Sequence, residues 1–197
     1  MVQSRTVLNS FLLSCVFLLF LPTSASGDWR LNKLEKGDVI VQEKKRKEFP
    51  IAGVQAEGVI DAPMEAIWPL IDQCSRYTKT MQRVEASREI SRKGNTVVCQ
   101  ITVDLPFPLA NLTATTRAIH TVQPGTLYKR AWKLVEGDYD YNEGSWTLTP
   151  FEGSKERTLV RYETQVAPKG LIPDSIRKMA QRKAIPDLFD HIRSQVR

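Results

Sequence analysis

The order of the predicted elements constrains this chain more than any single motif does. A first strand and a short helical pair precede an unbroken run of about six strands, and one long amphipathic helix ends the chain. An antiparallel sheet that carries only one sizeable helix has one face to cover and one helix to cover it with, so it must curve around that helix. We therefore predict an α+β fold in which a curved antiparallel sheet of about seven strands wraps around a long C-terminal helix. Such an arrangement leaves room for a cavity.

The first 26 residues have the pattern of an export signal. Arg5 precedes an apolar run over residues 7–21, and small residues follow at 23–26. The run is shorter than the roughly 20 residues that cross a bilayer as a helix. We predict cleavage near Ala25 or Ser26 and an exported protein, periplasmic or secreted. An uncleaved anchor is the alternative, and lipidation at Cys15 is disfavoured because the chain stays apolar beyond it.

The remainder suits one domain, predicted over residues 51–197 after a polar lead-in over 27–50. Removal of Arg5 with the signal leaves 27 Lys and Arg against 22 Asp and Glu. This mild positive charge, with aromatic residues on predicted core faces, argues against nucleic-acid binding. The basic run at residues 44–47 could contact anionic lipid headgroups, although a solvated lead-in is favoured. We expect a monomer.

Two cysteines, Cys74 and Cys99, follow the signal. Outside the cytoplasm they could pair. Cys99 also alternates with Val97 and Ile101 on one strand face, where a buried thiol acts as a small apolar group. A free thiol is the favoured interpretation, and a disulfide is the alternative.

Turn chemistry and alternation locate most of the elements. The first confident strand spans residues 54–60, and helical spacing follows over 64–71, interrupted by Pro69. A second helical turn is predicted over 74–80. Glycine-containing turns at 93–95, 123–125 and 152–154 separate the later strands, and Pro106 and Pro108 predict an interruption. The residues predicted to face inward are Val97, Cys99, Ile101, Val103, Tyr128, Trp132, Leu134, Trp146, Leu148, Val160, Tyr162 and Val166.

The last helix is predicted over residues 174–196, with a bend at Pro186. Its apolar stripe consists of Ile176, Met179, Ala180, Leu188, Phe189, Ile192 and Val196. Core packing explains such a stripe, and a cavity mouth that includes Met179 is the alternative.

A basic helix start follows an apolar loop at the beginning of this last helix. Leu171 and Ile172 precede Arg177 and Lys178, although cations near a helix start oppose the helix dipole. We therefore consider a peripheral contact of this corner with an anionic membrane. Packing of the two apolar side chains under the helix is an equally favoured alternative.

Catalytic and metal-binding motifs find little support. His120 and His191 are far apart in the sequence, and no spacing of Cys or His suggests a zinc site, so we predict no metal. Inside a cavity, proton transfer or oxyanion binding could come from His120, Arg117, Arg130, Tyr128 and Tyr162. Strand alternation places His120 and Arg117 on opposite faces. The small residues Ala114, Thr116 and Ala118 share the face of His120 and leave volume for a ligand or for a closely packed helix.

Three segments carry a family resemblance: Gly58–Trp68, Asn142–Pro150 and Val166–Pro173. Through them the chain, over roughly residues 52–196, resembles the START-like SRPBCC superfamily, closest to its coenzyme Q-binding and polyketide-cyclase-like branch. The resemblance implies a helix-grip fold with a hydrophobic tunnel that holds lipids, quinones, sterols or polyketides. Some members are cyclases or hydrolases, but no catalytic residue of theirs maps onto this chain.

These observations predict an exported protein that binds a hydrophobic small molecule or lipid without a cofactor and without chemistry of its own. The predicted pocket residues are Trp132, Trp146, Tyr162 and Met179, with Tyr128 or Arg130 as a polar anchor. One alternative is a cyclase- or hydrolase-like enzyme that uses the same tunnel. Another is a filled core whose surface recruits a protein partner.

Overall fold

A computed structural model describes residues 25–170, 172–173, 176 and 179–197. One antiparallel sheet of eight strands has the order β1-β2-β8-β7-β6-β5-β4-β3, and its edges do not join. The predicted α+β class is confirmed, with eight strands instead of about seven. The strands are β1 Ile40–Lys44, β2 Gly53–Ile60, β3 Val84–Lys93, β4 Thr96–Val103, β5 Leu112–Gln123, β6 Leu127–Gly137, β7 Tyr139–Pro150 and β8 Thr158–Pro168.

The predicted polar lead-in contains two regular elements. Helix α1 spans Ala25–Glu35, and β1 pairs with β2 from Ile40↔Glu57 to Lys44↔Gly53. The segment interpreted as a polar lead-in therefore includes a helix and an edge strand, and residues 42–48 within it are exposed. Leu34 and Ile40 are buried against Val59. Few apolar side chains hold this edge strand, so its sequence does not show a strand pattern.

The remaining strands follow the predicted turns. Residues 94–95 and 124–126 connect neighbouring strands, and the proline-containing segment after Val103 interrupts the sheet before Leu112. Six of the predicted inward residues are buried: Val97, Cys99, Tyr128, Trp146, Leu148 and Val160. Val166 is only half-buried, whereas its neighbours Gln165 and Ala167 are buried. The register of β7 on β8 shifts between Tyr139 and Tyr141, near this point.

Short helices close one end of the sheet. Helix α2 spans Met64–Asp72 and contains Pro69, and a 3-10 turn over Cys74–Arg76 leads into α3, Tyr77–Thr80. The predicted helical pair is confirmed. The side chains of Ile67 and Ile71 are fully buried. Pro69 lacks the backbone donor that a longer helix would need, and α2 ends three residues after it.

The last helix, α4 (Ile185–Gln195), packs on the sheet at β2. Phe189 is fully buried, and a Cβ atom added at Gly58 would lie 2.8 Å from its ring. The helix can approach the strand this closely because Gly58 has no side chain. A π-helical turn, Ala180–Ala184, lies just before Pro186, where the sequence predicts a bend. None of the described helices combines the length and apolar character needed to cross a bilayer.

A disulfide joins Cys74, in the 3-10 turn, to Cys99 on β4. The favoured expectation of a free thiol is therefore wrong. Both cysteines are fully buried, so Cys99 does belong to the apolar face as predicted. The bond ties the short helices to the sheet across 25 residues of chain.

We predict that replacing both cysteines (Cys74→Ala with Cys99→Ala) lowers the free energy of unfolding by about 3 kcal/mol, because the closed loop restricts the unfolded chain. Chemical denaturation under oxidising conditions measures this loss. Mass spectrometry after alkylation in denaturant provides the control. The parent should gain two further alkyl groups only after reduction, and full alkylation without a reductant would contradict the pairing.

Candidate functional site

A continuous row of buried side chains crosses the inner face of the sheet, the face that α4 covers. Strand register aligns Ala56, Tyr162, Trp146, Arg130 and His120 on β2, β8, β7, β6 and β5. Four of them are buried, and Tyr162 is half-buried. Because side chains directly opposite each other on neighbouring strands touch, the row forms a single surface that runs from the aromatic rings of Tyr162 and Trp146 to Arg130 and His120.

Three rings form the aromatic part of this surface: Trp146 and Tyr162 of the row, and Trp132 beside them. The ring centroids of Trp146 and Tyr162 are 4.4 Å apart, and Trp132 stacks beyond Tyr162 at 6.1 Å. Trp146 also meets Phe189 of α4 at 6.0 Å. Trp146 is buried, whereas Trp132 and Tyr162 keep part of their surface exposed. The Trp132 indole is fixed in place because Nε1 donates a 2.9 Å hydrogen bond to Oδ1 of Asn142.

Arg130 lies between Trp146 and His120 in the row. It is only 2% exposed, yet its donors reach a neutral ring and a sulfur atom: Nη1 lies 2.7 Å from Nε2 of His120 and Nη2 3.3 Å from Sγ of Cys99. The Tyr77 ring lies 5.8 Å from the guanidinium carbon. Among the described residues no carboxylate forms an ion pair with Arg130. The carboxyl groups of Asp72 and Glu89 interact with its charge only at longer range, and a guanidinium has five N–H donors.

His120 is held neutral by this environment. Burial, and then the positive charges of Arg130 and Arg92, lower the pKa of His120 to about 4. Since the guanidinium can only donate, Nε2 of the neutral ring must accept and Nδ1 carries the proton. The edge of Trp68 packs against this ring at 5.3 Å.

Tyr128 lies two residues before Arg130 on β6 and contacts α2. Its hydroxyl donates a 2.8 Å hydrogen bond to Oε1 of Glu65, and its ring meets Trp68 at 5.6 Å. Burial and the Glu65 carboxylate raise the pKa of Tyr128. The hydroxyl therefore serves to join α2 to the sheet.

The remaining predicted residues lie near the start of the last helix. Met179 is half-buried, and so is Ile172. Leu171, Arg177 and Lys178, predicted to contact a membrane, lie outside the described residues.

An open depression of about 720 Å³ lies on the opposite, outer face. Arg117, Ile119 and Lys133 line it, together with part of Trp132, the only predicted pocket residue that reaches it. The predicted alternation is confirmed here, because Arg117 is exposed outside while His120 is buried inside. Sequence reasoning missed this depression because its lining residues come mainly from six strands, and their arrangement side by side depends on the strand order of the sheet.

The family described as Polyketide cyclase / dehydrase and lipid transport matches residues 60–193. No curated protein matches the chain. Among solved structures, a STAR-related lipid transfer protein fragment from Xanthomonas axonopodis is similar at a TM-score of 0.68 and 15% identity, over 80% of this chain and 93% of that one.

Two further solved structures share the fold. Human StAR-related lipid transfer protein 5 is similar at a TM-score of 0.68 and 13% identity, over 81% of this chain and 82% of that one. The Zhui aromatase/cyclase from a Streptomyces species is similar at a TM-score of 0.58 and 17% identity, over 73% of this chain and 92% of that one. These structures show a common architecture at low sequence identity.

The lowered pKa of His120 predicts a pH-dependent stability. Between pH values of about 6.5 and 4, His120 is protonated in the unfolded chain and stays neutral in the folded protein. The free energy of unfolding therefore falls as the pH falls. Glutamine does not titrate, so we expect the free energy of unfolding of His120→Gln to fall less on acidification than that of the parent, by up to about 3 kcal/mol. Urea denaturation at neutral pH and near pH 4 measures the difference.

His191→Gln is the matched control, since this second histidine lies outside the inner row. It should keep the pH dependence of the parent. An equal loss of stability on acidification in the parent and in His120→Gln would show that His120 is not the responsible group.

Proposed function

The chain belongs to the Polyketide cyclase / dehydrase and lipid transport family, within the START-like SRPBCC superfamily that its sequence resembles, and we propose that it binds a hydrophobic small molecule or lipid between the inner face of its sheet and its C-terminal helix. The supporting observation is the series of ring contacts from Trp146 through Tyr162 to Trp132. Trp146 is buried, whereas Tyr162 and Trp132 are partly exposed. A hydrophobic ligand that covers partly exposed rings on a concave face removes apolar surface from water, and this burial favours binding.

The arrangement of the row suggests how such a ligand is oriented. Its apolar part lies along Trp132 and Tyr162, where surface remains exposed. Its polar or anionic end approaches Arg130, whose buried guanidinium lacks a carboxylate partner among the described residues. A ligand carboxylate or carbonyl oxygen would accept the donors that His120 and Cys99 leave free. The ligand must displace Trp146 or part of the last helix to reach them.

The same groups argue for binding without conversion. A general base needs a free acceptor with a pKa near the working pH. Nε2 of His120 already accepts from Arg130, and its pKa of about 4 keeps the ring a weak base. We therefore favour a binding protein over the cyclase-like alternative, although a relative of similar fold is described as an aromatase/cyclase.

We also propose export of the mature protein. The disulfide between Cys74 and Cys99 supports this, because such bonds persist in oxidising compartments. Residues 1–24, which carry most of the predicted signal, lie outside the described residues. The N-terminal peptide of the purified protein identifies the mature start, expected directly after residue 25 or 26. Peripheral contact of residues 171–178 with an anionic membrane remains part of the proposal.

We predict that the fluorescent fatty acid cis-parinaric acid binds this site with one molecule per chain. Trp132→Ala removes a stacking surface and should weaken binding roughly tenfold. Arg130→Met should weaken binding of the acid more than binding of its methyl ester, because only the acid carries a charge for the guanidinium. Fluorescence titration measures both affinities.

Trp29→Ala is the matched control, because Trp29 lies on α1 and is 52% exposed. It should bind like the parent. Unchanged affinity in Trp132→Ala would place the fatty acid elsewhere, and conversion of the probe would favour the enzyme alternative.

A further inference from the structure

The outer depression is a groove that mixes apolar and basic side chains. Its floor is formed by outward residues of β5 and β6, among them Ile119, Ala131 and Val135. Ile119 is 58% exposed and Val135 49% exposed. Ile119 and Ala131 are directly opposite each other, so they form one apolar strip. We call this depression the outer groove.

The acids and the bases of the outer groove do not balance. Glu143 lies directly opposite Lys133 on β7 and pairs with Arg46 at 2.6 Å, and Glu163 pairs with Lys44 at 2.9 Å. Three further cations, Arg117, Lys129 and Lys133, line the floor, and none of them forms an ion pair with another described residue. The groove therefore presents an excess of positive charge.

Two of these cations oppose each other directly. The register of β5 on β6 pairs Arg117 with Lys133. Like charges at facing positions of a sheet repel and lower stability. The carboxylate that faces Lys133 on its other side, Glu143, is already paired with Arg46, so an added anion would relieve the repulsion. Because this cost falls on exposed residues that could be replaced without loss of the core, it indicates a partner that supplies negative charge.

The spacing of the cations identifies the kind of partner. Lys129 and Lys133 are four residues apart on one strand, which separates them by about 13 Å. A single headgroup cannot contact both, and a flat bilayer does not enter a concave groove. A polypeptide carries acidic groups at such intervals and places apolar side chains between them. We propose that the outer groove binds an acidic, amphipathic segment of a protein partner.

The test uses a labelled peptide, Glu-Leu-Glu-Ser repeated three times, and its counterpart with Lys in place of Glu. We expect the acidic peptide alone to bind, to weaken as salt rises, and to shift the backbone NMR signals of β5 and β6 around Arg117 and Lys133. Arg117→Glu with Lys133→Glu should weaken binding at least tenfold. Both positions are exposed, and thermal unfolding verifies the fold.

Lys36→Glu with Lys155→Glu is the control, since it changes the net charge equally at exposed sites away from the groove. It should bind the peptide like the parent. Equal weakening in the two double variants would mean non-specific attraction and would overturn the proposal. Absence of signal shifts on β5 and β6 would overturn it too, as would protection of those strands by phosphatidylglycerol vesicles but not by the peptide. Lys133→Gln, a milder change, provides the same comparison if the double variant is unstable.

Discussion

The contact between Phe189 and Gly58 determines how the rest of this structure is arranged. A helix that carries a large ring can lie directly on β2 only where the strand has no side chain, and a Cβ atom at Gly58 would overlap that ring. Arg193 reinforces the contact by donating to the carbonyl oxygen of Val59, with Nη2 at 2.8 Å. The helix is thereby held near one side of the sheet, and the strands must curve to bring Trp146 against it. The aromatic row and the inner face follow from this packing.

Curvature gives the two faces different chemistry. The inner face is covered by helices and holds Arg130 and His120 at low exposure, where each depends on the other. Burial and the guanidinium keep the imidazole neutral, and the neutral imidazole accepts a hydrogen bond from the guanidinium. The outer face of the same strands carries Arg117 and Lys133 in water. Successive side chains of a strand point to opposite faces of the sheet. The same two strands, β5 and β6, therefore carry a buried polar pair on the inner face and an exposed basic groove on the outer face.

Periodicity predicts much of this fold because its strands are long and wet on one side. Alternation over residues 96–103 and 158–162 and the glycine turns identify the sheet, and the spacing around Ile67 identifies α2. Strand β1 escapes prediction because β2 supplies its pairing and its own side chains are mostly polar. The disulfide escapes because the approach of the 3-10 turn to β4 depends on tertiary packing.

The site is less predictable than the fold, and the reason is physical. Sequence alternation places Arg130, Trp146 and Tyr162 on one face, but only strand register shows that they are direct neighbours. The pairing of Arg130 with His120 likewise needs the β5–β6 register. The outer groove likewise needs the order in which six strands lie side by side. The face on which a side chain lies follows from the sequence of its own strand, whereas its neighbours on other strands depend on how those strands pair.

Binding of a hydrophobic ligand on the inner face can be located by NMR with a spin-labelled stearic acid. The chain has four tryptophans, and their indole N–H signals report on separate places in the fold. We expect the spin label to broaden the signals of Trp132 and Trp146 first and to leave that of Trp29 sharp. Equal broadening of all four signals, or broadening confined to Trp29, would contradict binding on the inner face.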